Sequence, residues 1–542
     1  MLLLAALCLP LPLTAAAPGA AAPGEEAAER ARGAGIELPA PAPERTGAES
    51  AGPFQRLLIR NVMLVDGEGA PPRGPVDIVI ARDRIERIER IAATSPALDP
   101  NGGPVGTEVI DGTGMYALPG FVDAHTHIGT PFQGLAGPLT PAEYVYKLWL
   151  AHGITTVREV GSTMGLAWTV REAERSAAGA IAAPRIIPYS MFPGASVTDA
   201  DGARDWVRAV RRTGAAGVKL RGGTLAAIRA VHEEARRLGM GTANHHDQTA
   251  VYHVNALDSA RMGLDSLEHW YGLPEALFTD RTVQDYPGDY NYADEQDRFA
   301  QAGRLWLQAA EPDHPRWAAV RDELIERDLT LVPTFTIYEA NRDVARARDA
   351  EWHDDYTWPA LRRFFMPDPR LHGSYHFDWT TADEIAWRRN FDRWMRFVDD
   401  YKNHGGRVAT GSDSGFIFKL FGFGYVRELE LLQEAGFHPL EVIQAATLNG
   451  AELLGMADRI GSLVPGKQAD IVLVEENPVA NFKVLYGTGH MKLDRDTGEL
   501  GRVGGVRYTI RDGIVFDAVV LREQVRAMVA AAKRAEPQTA AP

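Results

Sequence analysis

Two histidines, His125 and His127, are separated by one residue at the end of a short apolar segment that has the character of a strand. Side chains alternate along a strand, so residues two apart point to the same face. The pair therefore places two imidazoles side by side, and imidazole is a common ligand of zinc and related ions. An isolated pair of this kind is equally typical of hydrogen-bonded core histidines. The metal-site hypothesis therefore depends on the rest of the chain.

Further side chains of the ligand type end or follow other apolar runs, and helix-like stretches such as 225–238 and 250–262 lie between them. These side chains are Lys219, His245, His269 and Asp413. Strand alternating with helix is the signature of a parallel α/β architecture. In a (β/α)8 TIM barrel the carboxyl ends of all strands meet at one face, where such enzymes carry their catalytic residues. The sequence therefore predicts this barrel, with the candidate ligands gathered at one face.

Several separate motifs agree in order and in content with one known family. They are Gly120–His127, Gly153–Arg158, Ser266–His269, Gly411–Gly415, Ala445–Ala451 and Gly461–Asp470. Over about residues 57 to 520 the chain resembles the amidohydrolase superfamily, and within it the imidazolonepropionase-like and Xaa-Pro dipeptidase-like branch. The resemblance implies a metal-dependent hydrolase that acts on carbon–nitrogen bonds.

Carried over residue by residue, the resemblance implies two divalent metal ions, with zinc as the first choice and manganese or cobalt as alternatives. The implied ligands are His125, His127, Lys219, His245, His269 and Asp413. Lys219 would be N-carboxylated and bridge the two ions, because a carbamate offers anionic oxygens that an ammonium lacks. Asp413 would also be the catalytic residue, which takes a proton from a bridging hydroxide and passes it to the leaving nitrogen.

Two assignments in this ligand set leave alternatives open, and the role of Asp123 beside it is a separate question. Lys219 is also compatible with an ordinary lysine, which would leave a site with one metal ion. His245 and His246 are adjacent and point to opposite sides, and counting from Gly239 favours His245 as the ligand. Asp123, two residues before His125, is expected to be a structural hydrogen-bond acceptor.

Substrate contacts are expected from Tyr189, Arg221 and Tyr271, and Arg221 could pair with a terminal carboxylate. The sequence thus predicts a hydrolase of amide or peptide bonds in small molecules such as dipeptides or N-acyl amino acids. A cyclic-amide hydrolase of the imidazolonepropionase kind and a lactonase or esterase are alternatives, since the metal ions act on the carbonyl whatever group leaves. A metal-free binding protein on the same fold is the alternative that is not an enzyme.

The 542-residue chain has a formal net charge of −15, which argues against a nucleic acid or an anionic membrane as a partner. An apolar run over 2–13, too short to span a bilayer, predicts a signal peptide at 1–22, although no Lys or Arg precedes Arg30. We therefore expect a periplasmic or secreted protein. Whether it forms a homo-oligomer is left open.

The expected domain order follows from composition and from the strand-like runs. It comprises a flexible Ala/Pro/Gly-rich linker at 23–54, a composite β-sandwich from 55–118 and 456–520, the barrel at 119–455, and a C-terminal helix and tail at 521–542. Two aromatic-rich insertions, about 272–324 and 338–401, are expected over the active site as a lid or a dimer contact. The segment 329–335 between them should be the seventh barrel strand.

Overall fold

The computed structural model describes residues 37–90, 107–369 and 371–536. The predicted signal peptide, residues 23–36 of the predicted linker and the last six residues of the predicted tail lie outside the described residues. The strands are β1 Ser50–Ala51, β2 Arg56–Leu64, β3 Arg73–Ala81, β4 Arg84–Arg90, β5 Thr107–Asp111, β6 Tyr116–Pro119, β7 Phe121–Thr126, β8 Ile154–Gly161, β9 Arg185–Met191, β10 Gly217–Leu220, β11 Gly241–Asn244, β12 Ser266–Glu268, β13 Thr330–Val332, β14 Ile471–Val474, β15 His490–Leu493, β16 Leu500–Val503, β17 Val506–Arg511 and β18 Ile514–Asp517.

Helices follow most of the strands from β8 onward and fill both insertions. They are Ala142–Leu150, Leu166–Ala177, Ala200–Thr213, Leu225–Arg237, Ala256–Met262, Leu273–Ala276, Glu295–Ala302, Pro315–Glu326, Phe335–Arg342, Val344–Arg348, His353–Tyr356, Pro359–Phe365, Thr381–Asn403, Phe423–Ala435, Pro439–Ala446, Leu448–Leu453 and Ala518–Ala535, with 3-10 turns at Pro131–Ala136 and Phe482–Leu485. Within the described ranges, none of these helices is long and apolar enough to cross a bilayer.

A seven-stranded parallel sheet carries the candidate ligands, with the order β13-β12-β11-β10-β9-β8-β7. Residues 407–410 bond to both of its edges: Leu331 pairs in parallel with Val408, and the Ala124 amide donates to the Thr410 carbonyl at 2.9 Å. β8 is buried at every position, as expected for a strand covered on both faces. The predicted α/β architecture is confirmed, with a nearly closed parallel barrel sheet of seven strands in the described residues where eight were expected.

Both ends of the chain meet in a second, nine-stranded sheet, in which β1, β18, β17, β14, β6, β2, β3 and β4 are neighbours in that order and β5 pairs with β2. Its buried side chains include Ile59, Ile78, Leu473 and Ile510. The expected pairing of the two chain ends is therefore observed. Their arrangement as a separate sandwich domain stays a prediction.

The seventh barrel strand is shorter than expected. β13 ends at Val332, and a helix begins at Phe335. The buried carboxylate of Glu428 accepts hydrogen bonds from the amides of Phe335 and Thr336, at 2.9 and 2.6 Å, so it caps that helix. The prediction of a strand through residue 335 was wrong. The local sequence does not show where the helix begins, because the carboxylate that caps it lies 93 positions away in the sequence.

The aromatic residues of the two insertions divide between core and cavity. Trp306, Trp387 and Trp394 are fully buried and belong to the main hydrophobic core. The indole of Trp270, next to His269, packs against both Trp387 and Trp394, with ring centroids 6.0 Å apart in each case. Most of these side chains therefore support the barrel rather than contact a ligand.

Candidate metal centre

His125 and His127 at the end of β7 face Asp413. The Nε2 atom of His125 lies 3.7 Å from Oδ1 of Asp413, and the Nε2 atom of His127 lies 3.5 Å from the same oxygen. One ligand atom from each residue can be chosen so that all three lie within 4.8 Å of one another. The two-residue spacing thus brings both imidazoles to one point, as expected of a strand end.

Hydrogen bonds to β7 set the position of Asp413. Its amide donates to the His125 carbonyl at 2.8 Å, and its φ of 46° turns the chain into the cavity. The preceding Ser412 donates to both oxygens of Asp123, from its amide at 2.9 Å and from its hydroxyl at 2.6 Å. Asp123 therefore joins the two segments as a structural acceptor, as expected.

His245 and His269 stand on the other side of the same cavity. The two rings are 4.6 Å apart, and the His269 ring is 4.7 Å from that of His125. Nε2 of His269 lies 3.7 Å from Oδ2 of Asp413. His246 instead lies outside this group, with its Nε2 bonded to the Ser259 hydroxyl at 2.8 Å. The register counted from Gly239 therefore gives the right histidine at the cavity.

The hydroxyl of Thr334 defines which nitrogen of His269 is protonated. This hydroxyl donates to the Pro333 carbonyl at 2.6 Å and lies 2.5 Å from Nδ1 of His269. Because its one hydrogen is already used, the hydroxyl accepts from Nδ1–H. Nε2 of His269 therefore presents a lone pair to the cavity, as a metal ligand requires.

Lys219 on β10 lines the same cavity, and its side chain is buried. Its Nζ has no hydrogen-bond partner among the described residues. Burial lowers the pKa of this amine to about 8, and the positive charges of Arg158 and Arg221 act in the same direction. A neutral amine is the form that reacts with carbon dioxide to give a carbamate.

The donor set fits a divalent metal ion. In the part of the chain that is described, Nζ of Lys219 and Oδ1 of Asp413 are buried polar atoms without hydrogen-bond partners, and both residues line the cavity. Buried polar groups are normally satisfied, so two such atoms at one cavity indicate a ligand. Imidazole and carboxylate donors suit zinc, manganese or cobalt.

Burial and charge set the acid–base properties of the cluster. Burial lowers the pKa values of His125, His245 and His269 well below the ordinary value, so these imidazoles are neutral. Burial opposes protonation of His127 too, but the adjacent carboxylates of Glu159 and Asp413 raise its pKa. Burial also raises the pKa of Asp413 to about 6.

Sequence reasoning missed the polar residues behind the histidines. The Glu268 carboxylate lies 2.5 Å from Nδ1 of His125 and 2.7 Å from the Arg158 guanidinium. The Glu159 carboxylate lies 3.5 Å from Nδ1 of His127. All three residues lie inside the matched motifs or next to them. The signal in the sequence that could have identified them is a charged residue within an otherwise apolar strand.

The cavity above the cluster has a volume of about 190 Å³. Arg221 and Tyr271 line it, as expected of substrate contacts, and residues from both insertions complete the wall. These added residues are Tyr292, Arg298, Phe299, Tyr338 and His372. The guanidinium of Arg221 makes no hydrogen bond or ion pair with the described residues, whereas Arg298 and His372 both pair with Glu295.

Tyr189 does not line this cavity, and its expected role as a substrate contact is not retained. Its side chain is buried in a small cluster with Val160 and Ala243, and the Arg158 guanidinium lies 5.1 Å from the centre of its ring. The tyrosine sits inside the sheet because Gly217 and Gly241 leave room for its ring.

Comparisons with known proteins agree with this fold. The sequence profile of the amidohydrolase family matches residues 392–515. A dihydroorotase of Thermus aquaticus is 40% identical over 75 residues, 14% of either chain, and an imidazolonepropionase of Geobacillus kaustophilus (strain HTA426) is 32% identical over 81 residues, 15% of this chain and 17% of the other. The chain thus matches less than a fifth of the length of these curated relatives.

Solved structures match over most of the chain. A Xaa-Pro dipeptidase with bound methionine gives a TM-score of 0.56 at 19% identity, covering 85% of this chain and 100% of the other. A bottromycin amidohydrolase gives 0.59 at 19% identity, covering 89% and 91%. At this identity the likeness establishes the fold. Together with the profile match, it confirms the resemblance inferred from the sequence motifs.

Proposed function

We propose that this chain, which carries an amidohydrolase family domain, is a metal-dependent hydrolase that cleaves amide or peptide bonds of small molecules such as dipeptides or N-acyl amino acids. The observation that carries the proposal is the approach of Asp413 to the Nε2 atoms of three histidines, between 3.5 and 3.7 Å. These four residues lie at the carboxyl ends of parallel barrel strands, where enzymes of this architecture place catalytic groups.

We propose that His125, His127 and Asp413 hold one ion, that His245 and His269 hold a second, and that N-carboxylated Lys219 joins them. Bound there, divalent ions would polarise the substrate carbonyl and lower the pKa of water. The neutral imidazoles supply lone pairs, and burial of the cluster strengthens each electrostatic contact.

Asp413 is the group placed to move a proton. One of its oxygens would contact a metal ion, and the other is then available to accept a proton and release it again. In the proposed reaction it takes the proton of the attacking water and delivers it to the leaving nitrogen. Nothing else in the described cavity combines an ionisable oxygen with contact to both histidine pairs.

The position of Arg221 in the cavity wall favours a substrate that carries a carboxylate. Its unpaired guanidinium lines the cavity beside His245 and Lys219. Tyr271 and the aromatic wall from the insertions would enclose the apolar part of such a molecule. An amide whose leaving amine is an amino acid meets both demands, because the amino acid part carries the carboxylate.

The deciding experiment is elemental analysis of protein purified without chelators and in the presence of bicarbonate, followed by assays on N-acyl amino acids and dipeptides. We expect about two ions per chain and fewer in a Lys219→Ala variant. Lys147→Ala is the matched control, since Lys147 is also buried but pairs with Glu143 and Glu49 away from the cavity.

Other outcomes redirect the assignment. One ion per chain, unchanged by Lys219→Ala, would point to a mononuclear enzyme and to cyclic amides, lactones or esters as substrates. No bound metal would point to a binding protein on this fold.

We also propose export to the periplasm or the medium, supported by the apolar run at 2–13 and tested by fractionation of cells that express the full chain.

A further inference from the structure

A buried network behind His125 fixes the surroundings of its outer nitrogen. The Oε2 atom of Glu268 lies 2.5 Å from Nδ1 of His125. The other oxygen, Oε1, accepts from the Arg158 guanidinium at 2.7 Å and from the Ser266 hydroxyl at 2.6 Å. Arg158 is held in turn, because it donates to the Ala124 carbonyl at 2.5 Å and to the Ser266 hydroxyl at 2.9 Å.

Counting hydrogens in this network leaves one arrangement. Arg158 is always a donor, and the Ser266 hydroxyl receives from it and so gives its own hydrogen to Glu268. Both donors converge on Oε1, and the Arg158 guanidinium makes a charge-assisted hydrogen bond to it. Oε2 can therefore only accept, and Nδ1 of His125 must carry a hydrogen. Its Nε2, which faces Asp413, is left with a lone pair.

We propose that Glu268 is a positioning residue for the metal centre, and that Arg158 and Ser266 act through it to fix the tautomer of His125 that presents Nε2 as a ligand. The proposal rests on the proposed function, because it gives His125 a metal ion to bind. Carboxylates that orient ligating histidines change metal affinity about 10- to 100-fold when they are removed.

His127 is held less tightly, which makes the effect strongest at His125. Its Nδ1 is 3.5 Å from Glu159, whose other oxygen accepts from the Ile128 amide at 2.6 Å and which forms no ion pair with a described Arg or Lys. Of the two histidines at the end of β7, His125 thus has the shorter contact and the ion-paired carboxylate.

The isosteric variant Glu268→Gln tests the proposal, because an amide has one oxygen and one NH2 group. The oxygen should stay on the side of Arg158 and Ser266, where two donors meet it. The NH2 group then faces Nδ1 of His125, which must become an acceptor, so the hydrogen moves to Nε2. The variant should fold normally and bind the first metal ion about 10- to 100-fold more weakly.

The double variant Arg158→Met/Glu268→Gln provides a rescue. Without Arg158, the Ser266 hydroxyl is free to accept from the amide NH2, so the amide can turn its oxygen toward His125. The ligating tautomer is then restored, and metal affinity should return toward that of the wild type. A purely structural role would make the double variant worse than either single change.

The measurement is titration of the metal-depleted, full-length protein with Co²⁺ in bicarbonate, followed by visible absorption and elemental analysis, with thermal unfolding recorded in parallel. Asp470→Asn is the matched control, since Asp470 is a buried carboxylate paired with Arg185 at 2.8 Å and is absent from the cavity wall. We expect weaker Co²⁺ binding in Glu268→Gln alone and wild-type binding in the control.

The outcomes separate this proposal from the proposed function. Wild-type protein that binds Co²⁺, together with Glu268→Gln that binds it equally well, would overturn the positioning role and leave the metal centre intact. A double variant that binds more weakly than Glu268→Gln would also overturn it. Wild-type protein that binds no Co²⁺ would overturn both. If the double variant does not fold, the Glu268→Gln affinity decides.

Discussion

Oδ1 of Asp413 lies 3.5 Å from Nε2 of His127, while its other oxygen lies 3.7 Å from Nε2 of His269. One carboxylate thus reaches histidines from two different strands, and each of its oxygens faces one of them. Asp413 therefore differs from a carboxylate that pairs with a single histidine. In the proposed function, one oxygen would contact a metal ion and the other would exchange a proton with the substrate.

Replacing this carboxylate by an amide should abolish proton transfer. Asp413→Asn keeps the shape of the side chain but removes the base, so kcat on a dipeptide or N-acyl amino acid should fall about 10²- to 10⁴-fold. Steady-state kinetics and metal content measured on the same preparation separate loss of the base from loss of an ion. A variant with full metal content and an unchanged kcat would exclude the proton-transfer role.

Metal uptake should depend on bicarbonate and increase with pH. Burial lowers the pKa of Lys219 to about 8 from 10.5, so roughly a quarter of the amine is neutral at about pH 7.5, compared with about 0.1% for an ordinary lysine. Because the neutral form reacts with carbon dioxide, reconstitution should proceed faster at about pH 8.5 than at about pH 6.5. Lys219→Arg should remove the bicarbonate effect; if it persists there, Lys219 is not its source.

Arg221 should determine affinity for the anionic end of the substrate. Because its guanidinium has no ion-pair partner in the described structure, Arg221→Met should raise KM for a carboxylate-bearing amide about 10-fold and leave kcat nearly unchanged. The matched substrate is the same molecule with its carboxylate converted to an amide, whose KM should not change. Equal losses for both substrates would place Arg221 in a structural role.

The buried ion pairs of Glu339 should be important for stability. This carboxylate bonds to Lys419 at 2.6 Å and to Arg427 at 2.6 Å, and it lies next to Tyr338 in the cavity wall. Glu339→Gln leaves the buried Lys419 without its anion, while Arg427 keeps its ion pair with Glu430 at 3.2 Å, so the free energy of unfolding should fall by about 3–5 kcal/mol in denaturant titration. The exposed pair of Arg348 with Asp349 is the control, where Asp349→Asn should cost less than about 1 kcal/mol.

This stabilisation should also depend on pH. Burial opposes ionisation of Glu339, but the adjacent Lys419 and Arg427 hold its pKa below the ordinary value of 4.5. A carboxylate with a lowered pKa stabilises the folded state above its unfolded-state pKa and loses that contribution as the pH falls. The difference between wild type and Glu339→Gln should therefore shrink below about pH 4.5. A difference that stays constant at lower pH would show that the ion pairs do not produce it.

The gathering of His125, His127, His245 and His269 at one cavity could be predicted because strand periodicity and parallel topology are local or repetitive properties. The network behind them could not, since Arg158 and Glu268 are 110 residues apart and no short pattern pairs them. Tyr189 shows the same limit. Its place at the end of a strand indicated a cavity residue, but the space left by two glycines on neighbouring strands accommodates its ring inside the sheet.

The nine-stranded sheet has a consequence for how the protein is made. β1 begins at Ser50 and pairs with β18, which ends at Asp517, and β6 pairs with β14 across the whole barrel sequence. Contacts so distant in sequence form slowly, because a long loop must close before they are gained. During synthesis from the N-terminus, β2, β3 and β4 can pair with one another early, but β1 and β6 lack β18 and β14 until the barrel sequence has been made. Completion of this sheet should therefore follow synthesis of β14 and β18, and its unpaired edges need protection until then.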